Sequence, residues 1–181
     1  MTQIVLGLGS NRSYEDKMPF CILGEACVML SSFVSDLQAS SVYRTKALYL
    51  EDQADFFNMV VTGGYEGTPS ELLSAVHHVE TSFGRDRTKE IRNGPRSLDV
   101  DIELFGDVKI NGYFDSGALI IPHERLYERA FVLVPLIEVL SDGTGVWNLK
   151  PFEDALACLP EQRIDTYMDV KNFTEMYKWR R

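Results

Sequence analysis

Cysteine is scarce in this chain: there are three in 181 residues, Cys21, Cys27 and Cys158. They form no C-x-x-C pair and leave one over, so neither a zinc site nor a disulfide framework is indicated, and buried free thiols are the expectation. Positive charge is also in deficit. Eighteen Lys plus Arg face 27 Asp plus Glu, a net charge of −9, so the molecule as a whole repels nucleic acid and anionic membrane surfaces. No apolar run approaches the roughly 18 residues of a membrane span, and MTQIVLGLGSN lacks the basic start and long apolar core of a signal peptide. A reducing cytoplasm fits this pattern. The common nucleotide and zinc motifs fail as well. Gly7 and Gly9 give G-x-G, but Arg12 stands where the third glycine belongs, and no P-loop occurs. His123-Glu124 begins like a zincin helix, but Tyr127 occupies the place of its second histidine.

What remains is an ordinary globular composition, 45% hydrophobic and 25% charged, suited to one domain over residues 1–181. Ile4 to Leu8 reads as a first, central strand ending in the Gly9-Ser10-Asn11 turn. Phe20, Leu23, Cys27 and Leu30 recur at helical spacing within 16–31. Val34 to Tyr43 reads as a second strand and Phe56 to Tyr65 as a third, with Asn58 a two-way hydrogen-bonding group among apolar neighbours. Thr68-Pro69-Ser70-Glu71 is a capping box with proline at the first helical position, and Gly84 stops the helix it opens. His77 with Glu80 on that helix could share a metal, though an exposed or capping role suits them better. After a fourth strand come a short return at Val108 to Ile110, a loop, an apolar helix over 129–140, a helix over 152–159 and a strand over 163–170. The βαββαβ order predicts an α+β fold, a ferredoxin-like sandwich with helices packed on an antiparallel sheet and C-terminal additions.

The chemistry concentrates between Gly84 and Gly106. Leu98, Val100, Ile102 and Leu104 alternate with Asp99, Asp101 and Glu103, so on a strand the three acids share one face and the apolar four share the other. Asp99 and Asp101 can grip a pair of divalent ions or two sides of one hydrated Mg²⁺. The preceding loop sets Arg85, Arg87, Lys89, Arg92 and Arg96 against Asp86 and Glu90, a basic cluster in an acidic chain that points to a small anion. An amphipathic strand that simply shows its acids to water is the competing account.

Five spaced pieces then coincide: LGLGSN, SSVYRT followed by DQADFFN, VETSFGRDR, NGPRSLDVDIELFG and IPHERLYERAFVLVPL. Together, over about residues 4–140, they resemble the hydroxymethyl-dihydropterin pyrophosphokinases, enzymes of folate biosynthesis that move a diphosphate from ATP to the pterin's hydroxymethyl group. The resemblance implies a ferredoxin-like α+β fold, ATP as co-substrate and two Mg²⁺ held by Asp99 and Asp101. It implies a nucleotide and phosphate site at Glu80, Arg85, Arg87, Arg92, Ile102, His123 and Arg129, with Arg85 and Arg92 acting catalytically beside the two aspartates. The pterin would stack between Phe56 and Phe131, its edge read by Asn58, with Thr45, Leu48 and Asp99 completing the pocket. The likeness makes the partners small molecules, pterin and ATP; with the charge balance arguing against nucleic acid and membrane, a cytoplasmic monomer is expected.

The sequence departs from the family pattern on the nucleotide side. Asn93 stands where a tryptophan usually precedes Gly-Pro-Arg, Lys46-Ala47 replaces a proline-bearing loop start, and Ala118 and Ile120 replace an arginine and a polar residue. The two aspartates and the pterin residues are spared, so an active but divergent enzyme is expected. The alternatives are a pterin-binding relative impaired in catalysis and a nucleotide-sugar transferase using Asp99-Val100-Asp101 as a DxD motif.

Overall fold

The first apolar run becomes the heart of a sheet. In the computed structural model, which describes residues 1–47, 52–86, 89, 91, 94–141 and 146–179, β1 (Thr2–Ser10) lies between two antiparallel partners, β4 (Phe56–Tyr65) and β5 (Asp99–Phe105). β2 (Val34–Ala39) and β3 (Val42–Thr45) lie one after the other along the far side of β4, and β8 (Ile164–Met168) pairs with β3 at the edge. With α1 (Pro19–Leu30) after β1 and α2 (Pro69–Ser82) after β4, this is the ferredoxin-like βαββαβ arrangement, its second strand in two pieces.

That break corrects the continuous strand expected over 34–43. Ser40 takes a place in the ladder with its own hydroxyl, which accepts from the Val60 N–H at 3.0 Å and donates to the Ser41 carbonyl at 2.8 Å. A second disturbance lies between Ser35 and Gln38, where the register slips and Asp36 adopts a φ of 51°, the geometry of a bulge. The helix starts follow local chemistry. Met18 stays extended and Pro19 opens α1, three residues later than the periodicity suggests. Thr68 and Glu71 close a reciprocal capping box, the hydroxyl accepting from the Glu71 N–H at 3.2 Å and the carboxylate from the Thr68 N–H at 2.7 Å.

Each sheet face has its own core. On one, Ile4, Leu6, Leu8, Val61, Val100 and Ile102 pack under α1 and α2. On the other, Val5, Val60 and Leu104 pack against Leu133 and Leu136 of α3 (Ala130–Ser141) and Phe152 of α4 (Lys150–Cys158). Leu104 was expected beside Leu98, Val100 and Ile102. The register shift between Val5 and Leu6 moves it to the opposite core, since one extra residue reverses every later side chain.

Between β5 and α3 the chain makes a separate hairpin, β6 (Ile110–Phe114) and β7 (Gly117–Ile121), where a loop was expected. Gly117 at a φ of 124° supplies the turn conformation. The last helix, α5 (Val170–Tyr177), was not foreseen either; it buries Phe173 among core residues of α1's side of the sheet.

Candidate active site

The floor of the site is made of missing side chains. On the β1 face turned toward α3, Val5 is followed by Gly7 and Gly9. Gly9 pairs with Asn58 on one side and Asp99 on the other, and Gly7 with Val60 and Asp101. Directly paired residues project on the same face of a sheet, so Asn58, Asp99 and Asp101 rise from either side of a bare strip. A methyl group added at Gly7 would come within 2.8 Å of Glu103 Oε1, and one at Gly9 within 3.2 Å of Asn58 Oδ1. The trough is walled by Thr45, Phe56, Asp99, Asp101 and Glu103, with Arg129, Phe131 and Val132 from the start of α3 and Gln53 and Arg96 from two loops.

One end of the trough is lined by aromatic rings and an amide. Asn58 Nδ2 donates to Thr45 Oγ1 at 2.9 Å inside the fold, which fixes the amide's orientation. Phe56 and Phe131 each carry a guanidinium, Arg96 lying 5.8 Å from the first ring and Arg129 5.7 Å from the second. Two loops are tied here to the end of β1 by Asn11, whose Nδ2 donates to Gln53 Oε1 at 3.0 Å and the Ala54 carbonyl at 3.1 Å, while Oδ1 accepts from the Arg96 N–H at 2.8 Å.

The other end is charged and largely compensated. Asp99 is held by Arg85 and by Arg96, and Asp101 accepts from Arg129 Nη1 at 3.0 Å. Arg85 also binds Glu80, whose carboxylate accepts from the Val100 N–H at 2.9 Å. His123 Nδ1 accepts from the Arg125 N–H at 3.2 Å, which leaves the ring proton on Nε2, 3.9 Å from Asp101. Burial pulls the His123 imidazole below its ordinary value, against the raising effect of Asp101. Asp101 is pushed up by withdrawal from water and by the Asp99 charge, opposed by His123 and Arg129. Glu103 differs from its neighbours. It is 0% exposed, neither carboxyl oxygen has a hydrogen-bond partner among the described residues, and burial together with Asp101 raises it well above the usual range.

Thr45, Phe56, Asn58, Asp99, Asp101, Arg129 and Phe131 therefore meet around one trough, and His123 and Arg85 reach its carboxylates from behind. Two of the anticipated nucleotide residues are placed elsewhere. Glu80, 1% exposed, sits behind Arg85 as its buried counter-ion, and the Ile102 side chain points into the core on the α1 and α2 face, as strand alternation requires of a neighbour of Asp101. Leu48, Arg87, Arg92 and Asn93 lie outside the described residues. Sequence reasoning missed Arg96 as a direct partner of Asp99, although its place three residues before that acid was a usable signal. It also missed Asn11, whose turn-like setting concealed a bond to a segment 42 residues away.

Hard carboxylate oxygens on one face suit Mg²⁺, which is usually bound by one or two carboxylates plus phosphate oxygens of a substrate. Among the described residues no set of three His, Cys, Asp or Glu could enclose an ion. Asp99 and Asp101 thus fit a cation that arrives with its own phosphate ligands.

An α+β sandwich with an aromatic, amide-bearing slot opening onto paired carboxylates and arginines sets ring-stacking groups beside phosphate-matching ones. The chain belongs to the 7,8-dihydro-6-hydroxymethylpterin-pyrophosphokinase family, whose model matches residues 5–141, and so to the pyrophosphokinases of folate synthesis. The Bacillus subtilis 2-amino-4-hydroxy-6-hydroxymethyldihydropteridine pyrophosphokinase is 39% identical over 158 residues, covering 80% of this chain and 90% of that protein. The Aquifex aeolicus enzyme of the same name is 34% identical, covering 85% and 90%. A mitochondrial folate synthesis bifunctional protein of Arabidopsis thaliana is 37% identical, and there this chain spans 24% of the relative's length. Among solved structures, Plasmodium falciparum HPPK-DHPS superposes with a TM-score of 0.62 at 14% identity, covering 98% of this chain and 45% of that one, a likeness of fold.

Proposed function

We propose that this chain transfers the diphosphate of ATP to the hydroxymethyl group of 6-hydroxymethyl-7,8-dihydropterin, releasing AMP, and that the trough is where it does so. The observation that carries this reading is the continuity of an aromatic slot at Phe56 and Phe131 with the Asp99 and Asp101 carboxylates. In the slot, the pterin ring would stack on the two phenyl faces, and Asn58, oriented by Thr45, would read its amide-like edge. Its hydroxymethyl arm would then lie toward the aspartates. Asp99 and Asp101 would hold Mg²⁺, two ions in the fullest form of the proposal, and Mg²⁺ bound there would supply neutralisation of phosphate charge. Arg85, Arg96 and Arg129 each hold a carboxylate. With ATP present they gain phosphate oxygens as alternative partners, for which guanidinium geometry is well matched. Arg87 and Arg92 belong to the same basic segment and are assigned to the phosphates by position in the sequence alone.

The protein's contribution is positioning and charge stabilisation, with the substrate oxygen attacking the β-phosphorus in line. A single domain acting as a cytoplasmic monomer is part of the proposal; among the described residues no helix is long and apolar enough to cross a membrane. Incubation with ATP, Mg²⁺ and hydroxymethyl-dihydropterin should yield AMP and the pterin diphosphate in equal amounts. Formation of ADP, or turnover undiminished by a chelator, would overturn the assignment or its Mg²⁺ dependence respectively.

A further inference from the structure

We propose that Glu138, with Ser41 and Tyr43, is a clamp that positions the slot for the pterin from its far end. Glu138 lies on α3 seven residues after Phe131, two helical turns of about 3.6 residues each, so both side chains project from the same side of the helix. Across from them is the chain entering β3. Glu138 Oε2 accepts from the Ser41 N–H at 2.9 Å and from the Tyr43 hydroxyl at 2.8 Å, and Oε1 accepts from Ser41 Oγ at 2.7 Å. Tyr43 and Thr45 alternate on the strand, so Thr45, which holds Asn58, projects on the same face as Tyr43. One helix and one strand are therefore fastened at Glu138 and open at Phe131 and Thr45, the two ends of a pair of jaws.

The fastening is built for accuracy. Three donors converge on one carboxylate, and hydrogen bonds to an ionised acceptor are the stronger kind. The interior Pro135 of α3 removes the hydrogen bond that would tie it to the Phe131 carbonyl, so the first turn depends more on tertiary anchors. The additional C-terminal elements reinforce the same point. Ser41 Oγ accepts from the Val170 N–H at 3.1 Å at the start of α5, and β8 pairs Ile164 with Thr45. Glu138, Ser41 and Tyr43 do not line the trough; Glu138 acts through Phe131 and Thr45 and is a positioning residue. The inference rests on the pterin assignment of the slot.

The test is direct binding of 6-hydroxymethylpterin, followed by its fluorescence, and of Mg·ATP, by calorimetry, to the full chain and to Glu138→Ala and Glu138→Gln. The alanine variant should bind the pterin roughly tenfold more weakly, the equivalent of one lost charge-assisted hydrogen bond, with Mg·ATP affinity within twofold of the parent. Its KM for the pterin should rise while kcat changes little. The glutamine variant should recover most of the loss, because its amide oxygen can still accept from Ser41 and Tyr43. Amide hydrogen exchange at residues 131–135 and 43–46 should quicken in the alanine variant with no ligand present. A folded Glu138→Ala protein with parental pterin affinity and parental exchange would overturn the clamp, as would equal losses for pterin and nucleotide. If the parent itself fails to bind the pterin while exchange still responds to Glu138→Ala, the site assignment falls and the clamp stands as a fastening without that ligand.

Discussion

The two faces of β1 show how one strand serves stability and chemistry at once. On the face toward α1 and α2, Ile4, Leu6 and Leu8 are each 2% exposed or less and fill the space between sheet and helices. On the opposite face Val5 belongs to a core, but Gly7 and Gly9 put nothing above the backbone, and the trough occupies the room they leave. The alternation of a strand separates the tasks: positions 7 and 9 serve the site, positions 4, 6 and 8 the fold. The filled face is held by apolar contact, which tolerates no charge. The open face collects Asp99, Asp101 and Glu103 within reach of three arginines.

This contrast is broken most sharply by removing a charge from the open face. Asp101→Asn keeps the size of the side chain and an acceptor for Arg129, but it weakens the cation site. Turnover should fall by about 10³-fold, in line with several kcal/mol of metal-supplied charge stabilisation, while the melting temperature stays close to that of the parent. AMP release and thermal melting together check it; a rate within tenfold of the parent would detach Asp101 from the chemistry. Leu6→Ala is the mirror experiment on the filled face. Leu6 is 0% exposed, so the truncation should cost about 2–5 kcal/mol in urea unfolding, with KM for both substrates unchanged below the transition.

How far this division could be read from the sequence depended on the range of the interactions. The period-two pattern of residues 98–103 placed Asp99 and Asp101 on one face, and the Thr68 to Glu71 signal fixed the start of α2, because both are local. Phe56–Tyr65 was bounded correctly by its own apolar composition and flanking polar residues. The register shift at Val5 that carries Leu104 to the other core is set by pairing between strands almost a hundred residues apart, and nothing within either strand announces it. The same holds for Ser41 and Glu138, 97 positions apart, and for Glu80, whose carboxylate looked available for a ligand until Arg85 and the Val100 N–H were found to occupy it. The hairpin of β6 and β7 was legible only as a short return at Val108 to Ile110, because each strand is five residues long and mostly half-buried or exposed, with no strict alternation of apolar and polar positions.

A subtler blow to the contrast is to fill the open face. Gly9→Val adds a branched side chain where, among the described residues, only Asn58 Oδ1 lies near the new Cβ, at 3.2 Å. A β-branched residue suits a strand, but Asn58 must give by a few tenths of an ångström, so the change in stability should stay within about 1 kcal/mol. Pterin affinity should fall by roughly ten- to a hundredfold, the equivalent of about 1–3 kcal/mol of overpacking. Unchanged affinity in a fluorescence titration would mean that the ligand does not lie over β1.

The smallest effect concerns Glu103, the open-face acid whose carboxyl has no hydrogen-bond partner among the described residues, with His123 Nδ1 3.9 Å away. Its folded-state pKa is raised well above the ordinary 4.5 by burial and by Asp101, so the folded protein holds this proton more tightly than the unfolded chain does. By linkage, the stability it contributes is complete below the unfolded pKa and is lost as pH rises through the folded one. Glu103→Gln cannot ionise and should remove that loss. The variant and the parent should therefore unfold at similar urea concentrations near pH 4, and the variant should become the more stable of the two as pH increases toward 8. Carboxylates with the opposite tendency, such as the capping Glu71 held low by the Thr68 backbone, titrate alike in both proteins and cancel in the difference. A variant less stable than the parent at pH 8 would show that Glu103 is paired in the folded protein after all, and that the open face is as fully compensated as the filled face is packed.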